Sequence, residues 1–367
     1  MSELLGEKRD YRAAGLALCS AVVGVILMRI IIYYVPVGEG YGGVLASDAL
    51  FSLPVQLIFF LVVPFIIFKF YGKRTVKKTL EFSSIGTFKP YYLIALPLGF
   101  CVFILTIGVS SAWSRLLALT GYVNPSSSPE LPEKFVFGFF LAELVMTALL
   151  PAVCEEFCMR GGVLSTVKKT WGTIGCVVFC GVAFGLFHQN VKQVFYTALF
   201  GALAAFLTLR LKSIYPAMLM HFTNNFCSVF FNYADKYDFA VGGGFYSTID
   251  MLAARHAWAL ILIFLAIAAS AVGLVFLMLY LRERKVISDK KEVIKDSAFD
   301  VTGRRVVLFG EFDPDRIESL EMEREVYGAG YVKEKFKPSA RDLAFMIAAG
   351  VASLLTTVFT YVFGFFY

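Results

Sequence analysis

The sequence predicts an all-α fold: a multi-pass transmembrane helical bundle of about nine spans, with a cytoplasmic amino terminus and a charged cytoplasmic insert before the last span. Three observations predict it. Apolar residues make up 58% of the 367 positions before glycine is counted, whereas globular proteins hold about 45–50% with glycine included. Charged residues fall to 17%, below the usual ~25%. The apolar residues also gather in runs of about 20, the length that crosses a ~30 Å hydrocarbon core. This balance excludes a disordered chain, a disulfide-stapled mini-protein and most soluble enzymes. The net charge of +6 is small and dispersed, so no nucleic-acid partner is expected.

In chain order the runs lie near 13–35, 49–71, 91–115, 135–167, 172–190, 193–211, 213–233, 256–281 and 342–367. The first is too long for a signal peptide and no small-residue cleavage site follows it. The fourth is overlong and is expected to tilt or to kink at Pro151. Pro54, Pro64 and Pro97 are tolerable inside membrane helices whose neighbours satisfy the freed carbonyls. Basic residues then set the orientation. Lys8, Arg9 and Arg12, then Lys73, Arg74, Lys77 and Lys78, then Lys168 and Lys169, Arg210 and Lys212, and Arg282, Arg284 and Lys285 mark alternate loops. All fall on one side, which puts the amino terminus in the cytoplasm.

The chain divides into spans 1–3 (1–133), a polar-bearing core (134–233), an external loop with span 8 (234–281), the insert (282–341) and the last span (342–367). Residues 282–342 hold 14 of the 34 basic and 14 of the 28 acidic side chains. The insert reads as a solvated connector or a docking point for a partner, with Val306–Phe309 a candidate strand and 313–327 a candidate helix. Seven cysteines lie in apolar runs, where they are expected to pack rather than to pair.

The core is marked by ionisable residues where the bilayer makes them expensive, roughly 2.5–3.5 kcal/mol each for Asp, Lys or Arg on insertion scales. Span 4 carries Glu155, Glu156 and Arg160, span 5 carries His188, and span 7 carries His221 and Asn225. Counted inward at ~1.5 Å per residue, the three sets reach overlapping depths. Glu156 and Arg160 are i,i+4 and can pair on one face, an orienting role. Glu155 points about 100° away from them and is free for general-base work. His221 and Asn225, also i,i+4, can aim two donors at one point. Each alone could instead be a hydrogen-bonded packing residue. Gly161, Gly162 and the Gly181-x-x-x-Gly185 spacing would bring these helices close.

Read together, E-E-x-x-x-R at 155–160, F-x-x-x-H at 184–188 and H-x-x-x-N at 221–225 resemble the CPBP family of intramembrane proteases, named for CAAX proteases and bacteriocin-processing proteins and also called Abi. The resemblance spans roughly 134–233. It implies a peptide-bond hydrolase in which Glu155 and His188 activate a water while His221 and Asn225 stabilise the oxyanion. No cofactor is favoured; a zinc-dependent version, with Glu155, His188 and His221 as ligands, is the alternative, although the H-E-x-x-H arrangement is absent. A transporter or a non-catalytic membrane scaffold is the other class; no internal repeat supports a transporter. The expected partners are membrane lipids and a peptide or protein substrate, lipidated or not, and the expected location is a prokaryotic plasma membrane.

Overall fold

The computed structural model describes residues 2–35, 40–73, 88–123, 131–294 and 337–363, with side chains for all of these except 2–5 and 286–294. These residues form helices and no strand. In order they are α1 (Ser2–Tyr34), α2 (Gly40–Tyr71), α3 (Pro90–Leu119) and α4 (Phe137–Val167), α5 (Thr173–Phe187), α6 (Val194–Leu211) and α7 (Tyr215–Tyr237). A short α8 (Phe245–Arg255), the long α9 (Ala257–Ile294) and α10 (Ala340–Phe363) follow.

Each of the nine apolar runs forms a helix, but among the described residues seven helices are long and apolar enough to cross a membrane. The two that fall short do so for different reasons. Helix α5 has 15 residues, about 22 Å at 1.5 Å per residue. Helix α7 has 23 but carries His221, Asn224, Asn225, Asn232, Asp235 and Lys236. Helix α9 runs through the expected start of the insert at 282 and continues to Ile294. The candidate strand and helix of the insert lie outside the described residues, as do Arg74, Lys77 and Lys78.

Contacts at the two ends of the bundle show how the helices alternate. At one end Asp10 of α1 pairs with Lys169, just past α4, at 2.6 Å, and Arg12 pairs with Asp342 of α10 at 3.0 Å; Tyr11 bonds Thr170. At the other end Tyr41 of α2 donates to Glu143, near the start of α4, at 2.7 Å and bonds Tyr233, near the end of α7, at 2.9 Å. So α1 and α10 begin where α4 ends, and α2 and α4 begin where α7 ends. Helices α1 and α10 run parallel, because Gly15 and Cys19 lie against Phe345 three residues after Asp342.

Small residues set the tightest approach. A Cβ added at Gly185 would sit 2.5 Å from the Val194 carbonyl oxygen, and one at Gly181 would sit 2.8 Å from that of Ala198. The glycine pair therefore lets α5 lie directly on the backbone of α6, as the spacing predicts. All seven cysteines are free thiols, and all but Cys19 are buried.

Candidate active site

Helix α4 carries the site and is not a uniform α-helix. Its i→i+4 ladder opens into i→i+5 turns at Leu144–Leu149 and again at Phe157–Leu164, a departure that frequently accompanies functional sites. The first opening has a local cause and consequence. Leu150 bonds the carbonyl of Val145 rather than that of Met146, and Pro151 has no N–H to give to Thr147. Ser52 of α2 donates to the Met146 carbonyl at 3.1 Å, and Asn225 of α7 donates to the Thr147 carbonyl at 2.8 Å. Helix α4 remains continuous through Pro151, and its exposed carbonyls draw α2 and α7 onto it.

One turn further along lie Glu155, Glu156 and Arg160, all buried. Arg160 Nη1 donates to Glu156 Oε1 at 3.0 Å and Nη2 to the Gly201 carbonyl of α6 at 3.1 Å. The guanidinium also lies 4.4 Å from the centre of the Phe184 ring. The i,i+4 pair read from the sequence is therefore present, with both side chains inaccessible to solvent. His221 joins it: its Nδ1 lies 2.9 Å from the same Glu156 oxygen. Because a carboxylate only accepts, Nδ1 carries the proton and Nε2 is the nitrogen left over. His221 and Asn225 thus share one face of α7, as their spacing predicts, and both reach α4. His221 Nδ1 ends on Glu156, and one N–H of Asn225 ends on Thr147.

Glu155 is held from another side. Gln56 of α2 donates through Nε2 to Glu155 Oε1 at 2.7 Å, with both residues 6% exposed. The second carboxylate oxygen, Oε2, is buried without a hydrogen-bond partner. His221 lies within electrostatic range of Glu155.

His188 stands at the end of α5, and its Nδ1 bonds the Phe184 carbonyl at 2.8 Å. That carbonyl fixes the proton on Nδ1 and leaves Nε2 as an acceptor. The turn beyond it is buried and irregular: Gln189 is fully buried and takes a positive φ of 51°. Helix α1 holds it. Arg29 donates to the carbonyls of His188 and Gln189 at 3.0 and 3.1 Å, and Gln189 Nε2 donates to the Val22 carbonyl at 3.2 Å. Buried non-helical backbone is tolerable when protein supplies its hydrogen bonds. Trp113 of α3 and Thr360 of α10 complete the set at Val191, at 2.7 and 3.1 Å.

Phe184 is the hub of the arrangement. Its ring lies 5.1 Å from that of His188 and 5.9 Å from that of His221, on the same ring that Arg160 covers. The structure thus gathers Arg160, His188 and His221 around one phenylalanine, with Glu156 bonded to Arg160 and His221 and Glu155 one residue before it on α4. Among the described residues no group of three or more His, Cys, Asp or Glu is arranged to hold a metal ion. Glu155 Oε1, His188 Nδ1 and His221 Nδ1 are engaged by Gln56, Phe184 and Glu156.

Three contributors escape a search for ionisable residues in known motif positions, whereas Phe184 stands in the F-x-x-x-H motif. Gln56 and Gln189 are neutral. Arg29 alone carries a signal of the right kind, an arginine inside the first apolar run.

Residues 137–227 match the family described as Type II CAAX prenyl endopeptidase Rce1-like. Comparison with curated proteins and with solved structures gives no significant match.

Proposed function

Starting from the Rce1-like domain that the chain carries at 137–227, a domain of membrane-embedded proteases, we propose that the protein hydrolyses a peptide bond within the bilayer with a glutamate-activated water. The observation that carries this reading is Glu155. It is a buried carboxylate with one oxygen tied and the other free, on the helix that also engages His221. In the proposed reaction a water held by Glu155 Oε2 and His188 Nε2 adds its oxygen to the scissile carbonyl carbon as its proton passes to Glu155. His221, as the imidazolium with its Nδ1–H on Glu156, donates its Nε2–H, together with the remaining N–H of Asn225, to the negative charge that develops on the carbonyl oxygen. Glu155 then returns the proton to the leaving nitrogen as the C–N bond breaks. Glu156 and Arg160 orient His221 and the helix.

The reading includes nine spans and a cytoplasmic amino terminus. In support, the directions of α1, α2, α4, α7 and α10 alternate as consecutive passes must, and basic residues follow the ends of α4, α6 and α9. It also includes a prokaryotic plasma-membrane location and a peptide substrate carrying or lacking a lipid. Loss of a general base costs about 10²- to 10⁴-fold. Glu155→Gln and His188→Ala are therefore each expected to abolish cleavage by the purified protein while its thermal unfolding midpoint stays in place. Cleavage by Glu155→Gln at the normal rate would remove the assigned base. The metal-free form of the mechanism predicts that dialysis against a strong chelator leaves the rate unchanged. Loss restored by zinc would favour the metal-dependent form.

A further inference from the structure

Gln56 lies outside the matched domain, on a helix that the motifs do not include. It sits in the Pro54–Val62 stretch of α2, where the backbone adopts i→i+5 turns, and its neighbours Val55, Leu57, Ile58, Phe59 and Phe60 are apolar. An amide in such a run is costly unless both its ends are bonded. Here only one end is: Nε2 donates to Glu155 at 2.7 Å, and the amide oxygen is buried without a hydrogen-bond partner. The contact with the Glu155 carboxylate is the hydrogen bond that the structure gives this side chain.

The geometry points to Gln56 as the positioning residue for Glu155, a role that rests on the hydrolase reading above. A carboxylate has two equivalent oxygens and can rotate to offer either. A single strong donor on Oε1 breaks that equivalence: it holds the group in one rotamer and leaves Oε2 as the oxygen that meets the water. The charged and titratable groups around Glu155 include Cys154, Glu156, Cys158 and Arg160 on its own helix and His221 from α7. Arg160 and His221 are bonded to Glu156 instead. Gln56 is therefore the donor that Glu155 has to itself.

The test compares full-length wild-type protein in nanodiscs with Gln56→Leu, which keeps the volume and removes both polar atoms. Gln56→Met, unbranched and of similar size, is the companion variant should leucine impair folding. Misplacing a catalytic group by about 1 Å can cost on the order of a hundredfold. The expected result is a fall in kcat of about tenfold to a hundredfold, with KM within about twofold. An infrared difference spectrum supplies a readout apart from activity. Subtracting Glu155→Gln from its parent isolates the Glu155 carboxyl band, and the same subtraction in the Gln56→Leu background gives that band without its donor. A displaced band is expected; coincident bands, or an unchanged kcat, would overturn the assignment. A displaced band in a protein whose wild-type form cleaves no peptide would sustain the hold of Gln56 on Glu155 and remove the hydrolase reading instead.

Discussion

Glu156 is the residue on which most of the buried polar network turns. One of its oxygens receives both Arg160 and His221, so removing it strands a guanidinium that has no exposure to solvent. Breaking a buried pair by deleting one partner costs about 3–5 kcal/mol. Glu156→Ala should therefore lower the thermal unfolding midpoint of the detergent-solubilised protein by many degrees, and an unaltered midpoint would show that Gly201 and Phe184 suffice for Arg160. The Glu156–Arg160 contact was legible in the sequence because i,i+4 spacing on a helix is local geometry. The His221 contact was not, since it links residues 65 apart and depends on how α4 and α7 are rotated. Gln56 was hidden for a related reason: a neutral amide gives no charge signal, and its partner lies 99 residues away.

At the scale of the element, the α5–α6 turn shows how irregular backbone survives in the bundle interior. Arg29 presents a planar fork to two consecutive carbonyls, a task that a lysine ammonium cannot copy. Arg29→Lys should keep the charge and lose one of the two bonds, a change of about 1 kcal/mol. The readout is hydrogen exchange of the amides at 189–194, expected to quicken several-fold. Unchanged exchange would mean that Gln189, Trp113 and Thr360 hold the turn unaided. The sequence announced this turn only as the gap between the apolar runs 172–190 and 193–211. It announced the helices well, because runs of about 20 apolar residues have few other uses. Pro151 led to an expected kink or tilt, and what it contributes is a freed carbonyl at Thr147 that Asn225 occupies.

At the scale of the whole molecule, the proposed nine-span topology makes a direct prediction. Single cysteines placed in an otherwise cysteine-free background at Gly242 and at Lys212 should differ in reactivity toward an impermeant maleimide added to intact cells. Gly242 is expected to label from outside, and Lys212 only after the membrane is opened; labelling of both from one side would break the alternation. The basic clusters at 8–12, 168–169, 210–212 and 282–285 fall in alternate loops and led to the proposed orientation. The seating of α10 was not legible, since its partners are chosen by shape and by the Arg12–Asp342 ion pair. That seating has a consequence for biosynthesis. The face of α1 that carries Arg12, Gly15 and Cys19 is covered by α10, which leaves the ribosome more than 300 residues later. Until α10 has been made, this face must be sheltered by lipid or by an insertion factor, and a chain truncated before α10 would be released with α1 half undressed.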